Sequence, residues 1–382
     1  MRVLMVSDVY FPRVNGVSTS IETFRRSLAE HGVEVRLVAP RYGSEAEVAG
    51  IHRIPGWKVP CDPEDRLVSW PKLRQTVLRE AADCDLIHVQ TPFMAHYAGV
   101  GVARKLAKPV LATYHTLFEE YLHHYAPLLP AEWLKGMARR FSRGQCNDLD
   151  AVVVPSTAMR ERLGDYGVTS PMHVLPTGIP LERFAAGDGA RFRERHGISP
   201  DRPAALFVGR VAHEKNIDFL LDALLVARRR LPELLLLVTG EGPALASLRQ
   251  QAEAMGLDKS VRFLGYLDRA GELPDCYAAA DIFVFASRTE TQGLVLLEAM
   301  AMGLPVVGLA AMGTRDILAP GRGCLAPDDD VEAFAQAMLT VLEDGALRAR
   351  LADEAREYAR EWADDRLAGR LASLYRAMAG LN

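Results

Sequence analysis

Disulfide chemistry has little to work with in this sequence. Its five cysteines, at positions 61, 84, 146, 276 and 324, are odd in number, widely spaced and form no Cys-x-x-Cys pair. That fits a reducing compartment and excludes a disulfide framework or a cysteine zinc site. Long apolar runs are missing as well. The longest uncharged stretch, Leu86 to Ala103, is broken by Gln90, Pro92 and two histidines, so no segment is expected to span a bilayer. Met1-Arg2 leads straight into an apolar strand, which leaves no signal peptide and predicts a cytoplasmic location. The first glycine loop lacks the Gly-x-Gly-x-x-Gly fingerprint, which argues against NAD. Charge of one sign is also scarce. Residues 1–180 carry 21 Lys and Arg against 19 Asp and Glu, and the remainder 24 against 30. Neither half has the basic excess that nucleic-acid binding requires.

What is present is a regular alternation of strands and helices. The 382 residues are 49% apolar and 25% charged, the composition of a globular enzyme of two or three domains. Strands are predicted at Val3–Ser7, Val35–Ala39, Leu86–Gln90, Pro109–Thr113 and Asp150–Ser156. Further strands follow at Ala204–Gly209, Leu234–Gly240, Val261–Gly265, Asp281–Phe285 and Pro305–Leu309. The fold class is therefore α/β, with doubly wound parallel sheets. Two units open alike. Val3–Ser7 runs through Asn15-Gly16 into a helix with Ile21, Phe24 and Leu28 on one face. Ala204–Gly209 runs through a loop bearing Arg210 and Lys215 into a helix from Ile217 to Arg228.

The densest chemistry lies between Phe285 and Ala301. A strand gives way to a polar turn with one glycine, Gly293, and then to helix formers from Leu294 that stop at Gly303-Leu304-Pro305. Such a turn presents backbone N–H groups, here those of Gly293 and Leu294, and a positive helix end to phosphate. Glu290 precedes the helix. Glu298 lies roughly one and a half turns inside it, too deep to cap it and well placed to accept hydrogen bonds from two sugar hydroxyls. Arg210 and Lys215 are suited to neutralising a diphosphate. The set reads as a nucleotide site.

Three other features bear on function. His115 stands at the carboxyl end of a parallel strand, where open α/β sheets bind ligands. With His123 and His124 it lacks the carboxylates of a metal site, and no metal is expected. Three Asp-x-Asp-like runs, Asp62-Pro-Glu-Asp65, Asp148-Leu-Asp150 and Asp328-Asp-Asp330, precede strand or helix starts and read as turns and caps. Residues 131–146 place Trp133, Leu134, Met137 and Phe141 at helical spacing, interleaved with Lys135, Arg139, Arg140 and Arg143. This fits equally a helix lying in an anionic membrane interface and a core-facing helix with a solvated basic side.

Glu290 and Glu298, with seven residues between them within Ser-Arg-Thr-Glu-Thr-Gln-Gly-Leu…Glu-Ala-Met-Ala, resemble the Glu-x7-Glu signature of retaining glycosyltransferases of family four, which have the GT-B architecture. Gly209-Arg210-x4-Lys215, Phe11-Pro-x-x-Asn-Gly16-Val-Ser-Thr-Ser-Ile and Thr113-Tyr-His115-Thr match further motifs of that family, in order. The run Tyr114-His-Thr-x-x-Glu-x-Tyr121-x-His-x-Tyr125, with Thr289 to Leu294, is similar to the bacterial monoglucosyl-diacylglycerol synthases. The resemblance extends from Val3 to about Leu374. Met312-Gly-Thr-Arg-Asp-Ile departs from the family's Gly-Gly-x-x-Glu loop, which puts donor-phosphate contacts there in question.

The resemblance implies two Rossmann-like domains facing each other across a cleft. Residues 1–183 form the acceptor side, 184–358 bind the nucleotide-sugar, and the 359–382 helix crosses back. It implies catalytic roles for His115 and Glu290. Donor contacts fall to Gly16, Arg210, Lys215, Gly293, Leu294 and Glu298. Acceptor or membrane contacts fall to Tyr121, Trp133, Lys135, Arg139 and Arg140. It implies no cofactor beyond the nucleotide-sugar co-substrate. The expected activity is metal-independent transfer of glucose, with retention, from UDP-glucose to diacylglycerol at the inner face of the cell membrane. The alternatives are a GDP-mannose-dependent transferase acting on a glycolipid, a sugar-nucleotide epimerase, and a non-catalytic nucleotide-sugar binder.

Overall fold

The computed structural model describes residues 1–59, 62–115, 131–269 and 271–381. It divides into two compact units, one of residues 1–178 and 364–382 and one of residues 179–363. Each is built on a wholly parallel sheet.

The first sheet has seven strands: β1 (Arg2–Val6), β2 (Glu34–Pro40), β3 (Ile51–Ile54), β6 (Leu86–Val89), β7 (Val110–Thr113), β8 (Ala151–Val154) and β9 (Met172–Val174). They lie in the order β3-β2-β1-β6-β7-β8-β9. Strands β1, β6 and β8 are buried almost from end to end, as sheets covered on both faces demand. The chain winds outward in both directions from β1, so the strand order reverses between β1 and β6. A small antiparallel hairpin, β4 (Gly56–Val59) with β5 (Asp62–Val68), follows β3. Asp62 to Asp65 therefore lie inside a strand rather than before one, which corrects the turn reading of that run. The other two acidic runs behave as expected of turns and caps. Asp330 caps the helix Val331–Glu343 by accepting from the Ala333 amide at 2.9 Å, and Asp150 accepts from the Val110 amide at 2.8 Å.

The helix Asp364–Ala379 belongs to the first unit. It buries Leu367, Ala368, Leu371, Ala372 and Tyr375 there. The Tyr375 hydroxyl meets His88 Nδ1 of β6 at 2.6 Å, and Asp364 accepts from the Ser27 hydroxyl at 2.8 Å.

The second sheet consists of β10 (Ala204–Val208), β11 (Leu235–Thr239), β12 (Val261–Gly265), β13 (Ile282–Phe285), β14 (Val306–Gly308) and β15 (Cys324–Leu325). Its order is β12-β11-β10-β13-β14-β15. Phe207, Phe283 and Phe285 stack across β10 and β13 at ring separations of 5.8 and 6.2 Å, in a core continuous with the helices on both faces. The order reverses between β10 and β13. In sheets of this kind the loops at such a reversal splay apart and leave a crevice beyond the strands' carboxyl ends.

Candidate functional site

Each unit brings sequence-singled residues to its own reversal point. In the second unit the loops after β10 and β13 are neighbours because those strands pair. Asn216 donates to the Ala286 carbonyl at 3.0 Å and the Ser287 hydroxyl to the Glu214 carbonyl at 3.1 Å. The two loops are thereby laced together. Across this seam the Lys215 ammonium pairs with Glu290 Oε1. Arg210, on the same loop, is mostly exposed and 3.8 Å from Glu214.

Glu290 is held from behind. The Gly313 amide donates to the Glu290 carbonyl at 2.8 Å. A Cβ on Gly313 would meet the Thr291 carbonyl oxygen at 2.0 Å. The Met312-Gly313 loop, which departs from the resembled family's pattern, thus braces the backbone of the Glu290 turn.

The turn ends at Gly293, whose φ of +97° starts the helix Leu294–Ala301. This is the left-handed region that side chains disfavour. A Cβ there would also crowd Leu296 and Thr314 at 3.0 and 3.1 Å. Glu298 sits inside the helix, as the spacing predicts, but its carboxylate is only 3% exposed and already engaged. Oε1 pairs with Arg269, and Oε2 accepts from the buried Tyr277 hydroxyl at 3.0 Å. The Glu298 charge raises the Arg269 pKa, and burial with that same charge raises Tyr277. Sequence reasoning missed both partners. Arg269 lies in the loop after β12 and Tyr277 in the helix Glu272–Ala279, with no spacing that links them to Glu298.

In the first unit, Gly16 is the first residue of the helix Gly16–Ser27, capped by Asn15, which accepts from the Ser18 amide at 2.8 Å. Nothing lies within 4 Å of a Cβ placed on Gly16. Across the reversal, Asp8 after β1 accepts from the Thr91 hydroxyl at 2.7 Å and the Ala95 amide at 3.0 Å. Burial pushes the Asp8 carboxyl up to about 6, against the pull of those hydrogen bonds. His115 follows β7, with Nε2 3.0 Å from Gln90 Oε1 at the end of β6. Burial lowers the His115 pKa to about 4, so the imidazole is neutral at neutral pH. Asp8 and Gln90 were also missed. Both stand at the carboxyl ends of strands flanking a reversal, and the crevice rule applied to strand order would have found them.

The helix Ala131–Asn147 resolves into two faces. Leu134, Ala138, Ser142 and Cys146 are buried, whereas Trp133, Met137 and Phe141 are 55%, 44% and 38% exposed. Leu134 therefore separates from the other three apolar residues. Arg140 lies beside this apolar line at about 100° per residue, Arg139 is also exposed but farther round the helix, and Lys135 is half-buried. Lys135 pairs with Glu132 at 3.0 Å and Arg139 lies 5.7 Å from the Tyr166 ring. Tyr121, His123 and His124 lie outside the described residues. Among the described residues no group of three or more His, Cys, Asp or Glu could hold a metal ion, and no helix is long and apolar enough to cross a membrane.

The family model described as "Glycosyltransferase Family 4" matches residues 14–183, and "Glycosyl transferases group 1" matches residues 188–358. The alpha-monoglucosyldiacylglycerol synthase of Streptococcus pneumoniae is 33% identical over 320 residues, covering 80% of this chain and 70% of that protein. This chain is a family 4 glycosyltransferase. A second relative, the GDP-mannose-dependent alpha-(1-6)-phosphatidylinositol monomannoside mannosyltransferase of Mycolicibacterium smegmatis, is 30% identical and covers 93% of each chain. Among solved structures, Anabaena HepE in complex with UDP superposes with a TM-score of 0.79 at 19% identity, over 99% of this chain and 100% of that one. The glycosyltransferase has the GT-B fold, two parallel-sheet α/β domains.

Proposed function

We propose that this glycosyltransferase moves glucose from UDP-glucose to diacylglycerol, with retention and without a divalent metal, at the inner face of the cell membrane. The observation that carries the donor side is the Lys215–Glu290 pair over the start of the helix Leu294–Ala301, with Glu298 one turn further in. Lys215, Arg210 and the Gly293 and Leu294 amides would hold the diphosphate and stabilise its charge as it leaves. Glu290 would then exchange its ammonium partner for the sugar hydroxyls and support positive charge at the anomeric carbon. Glu298 would take the ribose hydroxyls in place of Arg269, with Tyr277 keeping its second oxygen fixed. A neutral His115 would hydrogen-bond the sugar from the first unit, where Gly16 leaves room for donor and acceptor. Residues 1–183 would form the acceptor side and 184–358 the donor side.

Likeness to a diacylglycerol-glucosylating relative supports the lipid acceptor, as does the exposed Trp133–Met137–Phe141 line, where Arg140 could meet anionic headgroups. Lys135, Arg139 and Tyr121 complete that proposed acceptor and membrane surface. A second reading, transfer from GDP-mannose to a phosphorylated lipid, rests on the relative matched over 93% of both chains.

The test is a panel of UDP- and GDP-sugars offered with diacylglycerol in vesicles, with products read by mass and anomeric configuration by NMR. The expected outcome is α-glucosyl diacylglycerol from UDP-glucose alone, at a rate unchanged by EDTA. Mannosyl product from GDP-mannose would replace it with the second reading. Conversion of the donor sugar without any acceptor would replace both with an epimerase. Glu290→Gln should lower kcat by about a hundredfold or more with little change in the nucleotide's affinity.

A further inference from the structure

Two side-chain rungs join the carboxyl ends of β6 and β7 in the first unit. Gln90 Oε1 lies 3.0 Å from His115 Nε2, and two residues back His88 Nε2 lies 2.8 Å from Thr113 Oγ1. A strand repeats its faces every two residues, so both rungs lie on one face of the sheet. The inner rung continues into the last helix, Asp364–Ala379. The second ring nitrogen of His88, Nδ1, lies 2.6 Å from the Tyr375 hydroxyl. Side chains from three elements thus form one row, Tyr375–His88–Thr113, which the donor chemistry has not used.

The protons of this row follow from its ends. Tyr375 is fully buried, and among the described residues its hydroxyl has no partner but His88. A buried O–H left without an acceptor costs about 1–3 kcal/mol. Tyr375 therefore donates, and His88 Nδ1 accepts. An imidazole that accepts at one nitrogen is neutral and carries its proton on the other. Burial, with His115 nearby, lowers the His88 pKa to about 3, in agreement. His88 Nε2–H thus donates to Thr113 Oγ1. Thr113 is engaged from behind as an acceptor and keeps its own O–H to give. It is half-buried, and no acceptor among the described residues takes that proton.

We propose that Tyr375 and His88 are positioning residues that hold the Thr113 hydroxyl as a hydrogen-bond donor to an alcohol oxygen of the transferred hexose. This rests on the reading that His115 takes the sugar. Thr113 stands two residues before His115 on the same face and receives a neighbouring hydroxyl of that sugar. An isolated threonine hydroxyl can turn either way, to give or to accept. Here the row behind it removes that choice, so the last helix of the chain fixes the direction of a hydrogen bond at the end of β7.

Two measurements on the full-length protein test this. The first is nitrogen NMR of histidine-labelled protein, with the His88 signals identified by their loss in His88→Gln. His88 should carry its proton on Nε2 and stay neutral from about pH 5 to 8. A proton on Nδ1, or titration within that range, overturns the row.

The second is calorimetry of UDP-glucose against UDP and of GDP-mannose against GDP. The ratio of the two affinities reports contacts to the sugar alone. Thr113→Val should lower that ratio about fivefold and leave the bare nucleotide's affinity unchanged, whereas Thr113→Ser should preserve both. Tyr375→Phe should lower the ratio by less, and by nothing further when added to Thr113→Val. Melting temperature checks that each variant folds. An unchanged ratio in Thr113→Val, an equal loss for nucleotide and nucleotide-sugar, or a ratio that Tyr375→Phe does not move overturns the proposal. His115→Ala in the same titration separates it from the reading beneath it. A ratio that falls in His115→Ala but not in Thr113→Val removes the Thr113 donor alone. No change in either variant removes the sugar from this strand end, and both ideas with it.

Discussion

At the scale of single residues, the molecule depends on which carboxylates and imidazoles are allowed to charge. Tyr277 is fully buried with its hydroxyl on Glu298, and a buried hydrogen bond to a charged group contributes about 1.5–3 kcal/mol. Tyr277→Phe should therefore weaken nucleotide binding about tenfold by calorimetry, if Glu298 holds the ribose. Glu298→Ala should weaken it more. Unchanged affinity in both would remove Glu298 from the donor site.

His88, His115 and Asp8 make opposing demands on pH. Burial lowers His88 to about 3 and His115 to about 4, and raises Asp8 to about 6. For the two histidines the unfolded chain takes up protons first, from about pH 6.5 downward, so their stability is complete above that pH and lost as pH falls. For Asp8 the folded chain takes up the proton first, so its contribution is complete below about pH 4 and lost as pH rises to 6. Each group changes stability by up to about 1.4 kcal/mol per pH unit in its window. Asp8→Asn removes the opposing member. Urea melts between pH 4 and 6 should then show a slope steeper than wild type by about that amount.

The sequence made much of this scale readable wherever chemistry sits at a loop of fixed spacing. Gly293 starts the helix and Glu298 falls inside it, whereas the pairing of Lys215 with Glu290 was not foreseen. Arg269 and Tyr277 could not be read, because their contact with Glu298 depends on how two loops and a helix pack after the strands have paired.

At the scale of elements, the helix Ala131–Asn147 shows what periodicity leaves open. Spacing groups Trp133, Leu134, Met137 and Phe141 together, but only packing decides which side of the helix faces inward. Leu134 turns to the core with Ala138, and the other three face outward. Replacing Trp133 and Met137 by Ala should abolish sedimentation with anionic vesicles while changing folding stability by only about 0.5 kcal/mol. A large stability loss would return those side chains to the core. The strands were legible where four or more apolar residues ran together, as in β1, β8, β10 and β13. Strands β3, β9 and β15 were missed, since they are two to four residues long and, in β3 and β9, mix polar with apolar side chains. The β4–β5 hairpin was hidden by its run of acids, which resembles a turn when read without a partner strand.

At the scale of the whole molecule, the order of the chain is not the order of its units. The last helix, Asp364–Ala379, belongs with the first 178 residues. Sequence alone registers it as one more amphipathic helix, and the resemblance suggested its return to the first domain. Its buried Leu367, Leu371 and Tyr375 contribute about 1.5–3 kcal/mol each through apolar burial. That sum is comparable with the whole stability of a domain. Deleting residues 364–382 should leave the first unit open to proteolysis while the fragment 179–363 resists it. Equal resistance of both would show that the helix is dispensable.

The four cysteines among the described residues are all buried, two in each unit. Burial pushes Cys84 and Cys324 up to about 11 and Cys146 up to about 12, and raises Cys276 as well. Their thiolates are thus suppressed twice, by acidity and by access. Once Cys61 is replaced by Ser, an alkylating reagent should find almost nothing to modify until a unit opens. Peptide mapping of alkylated Cys84 and Cys146 against Cys276 and Cys324 would then time the opening of each unit separately within a single sample. The protein thus carries its own pair of clocks for breathing, without any added label.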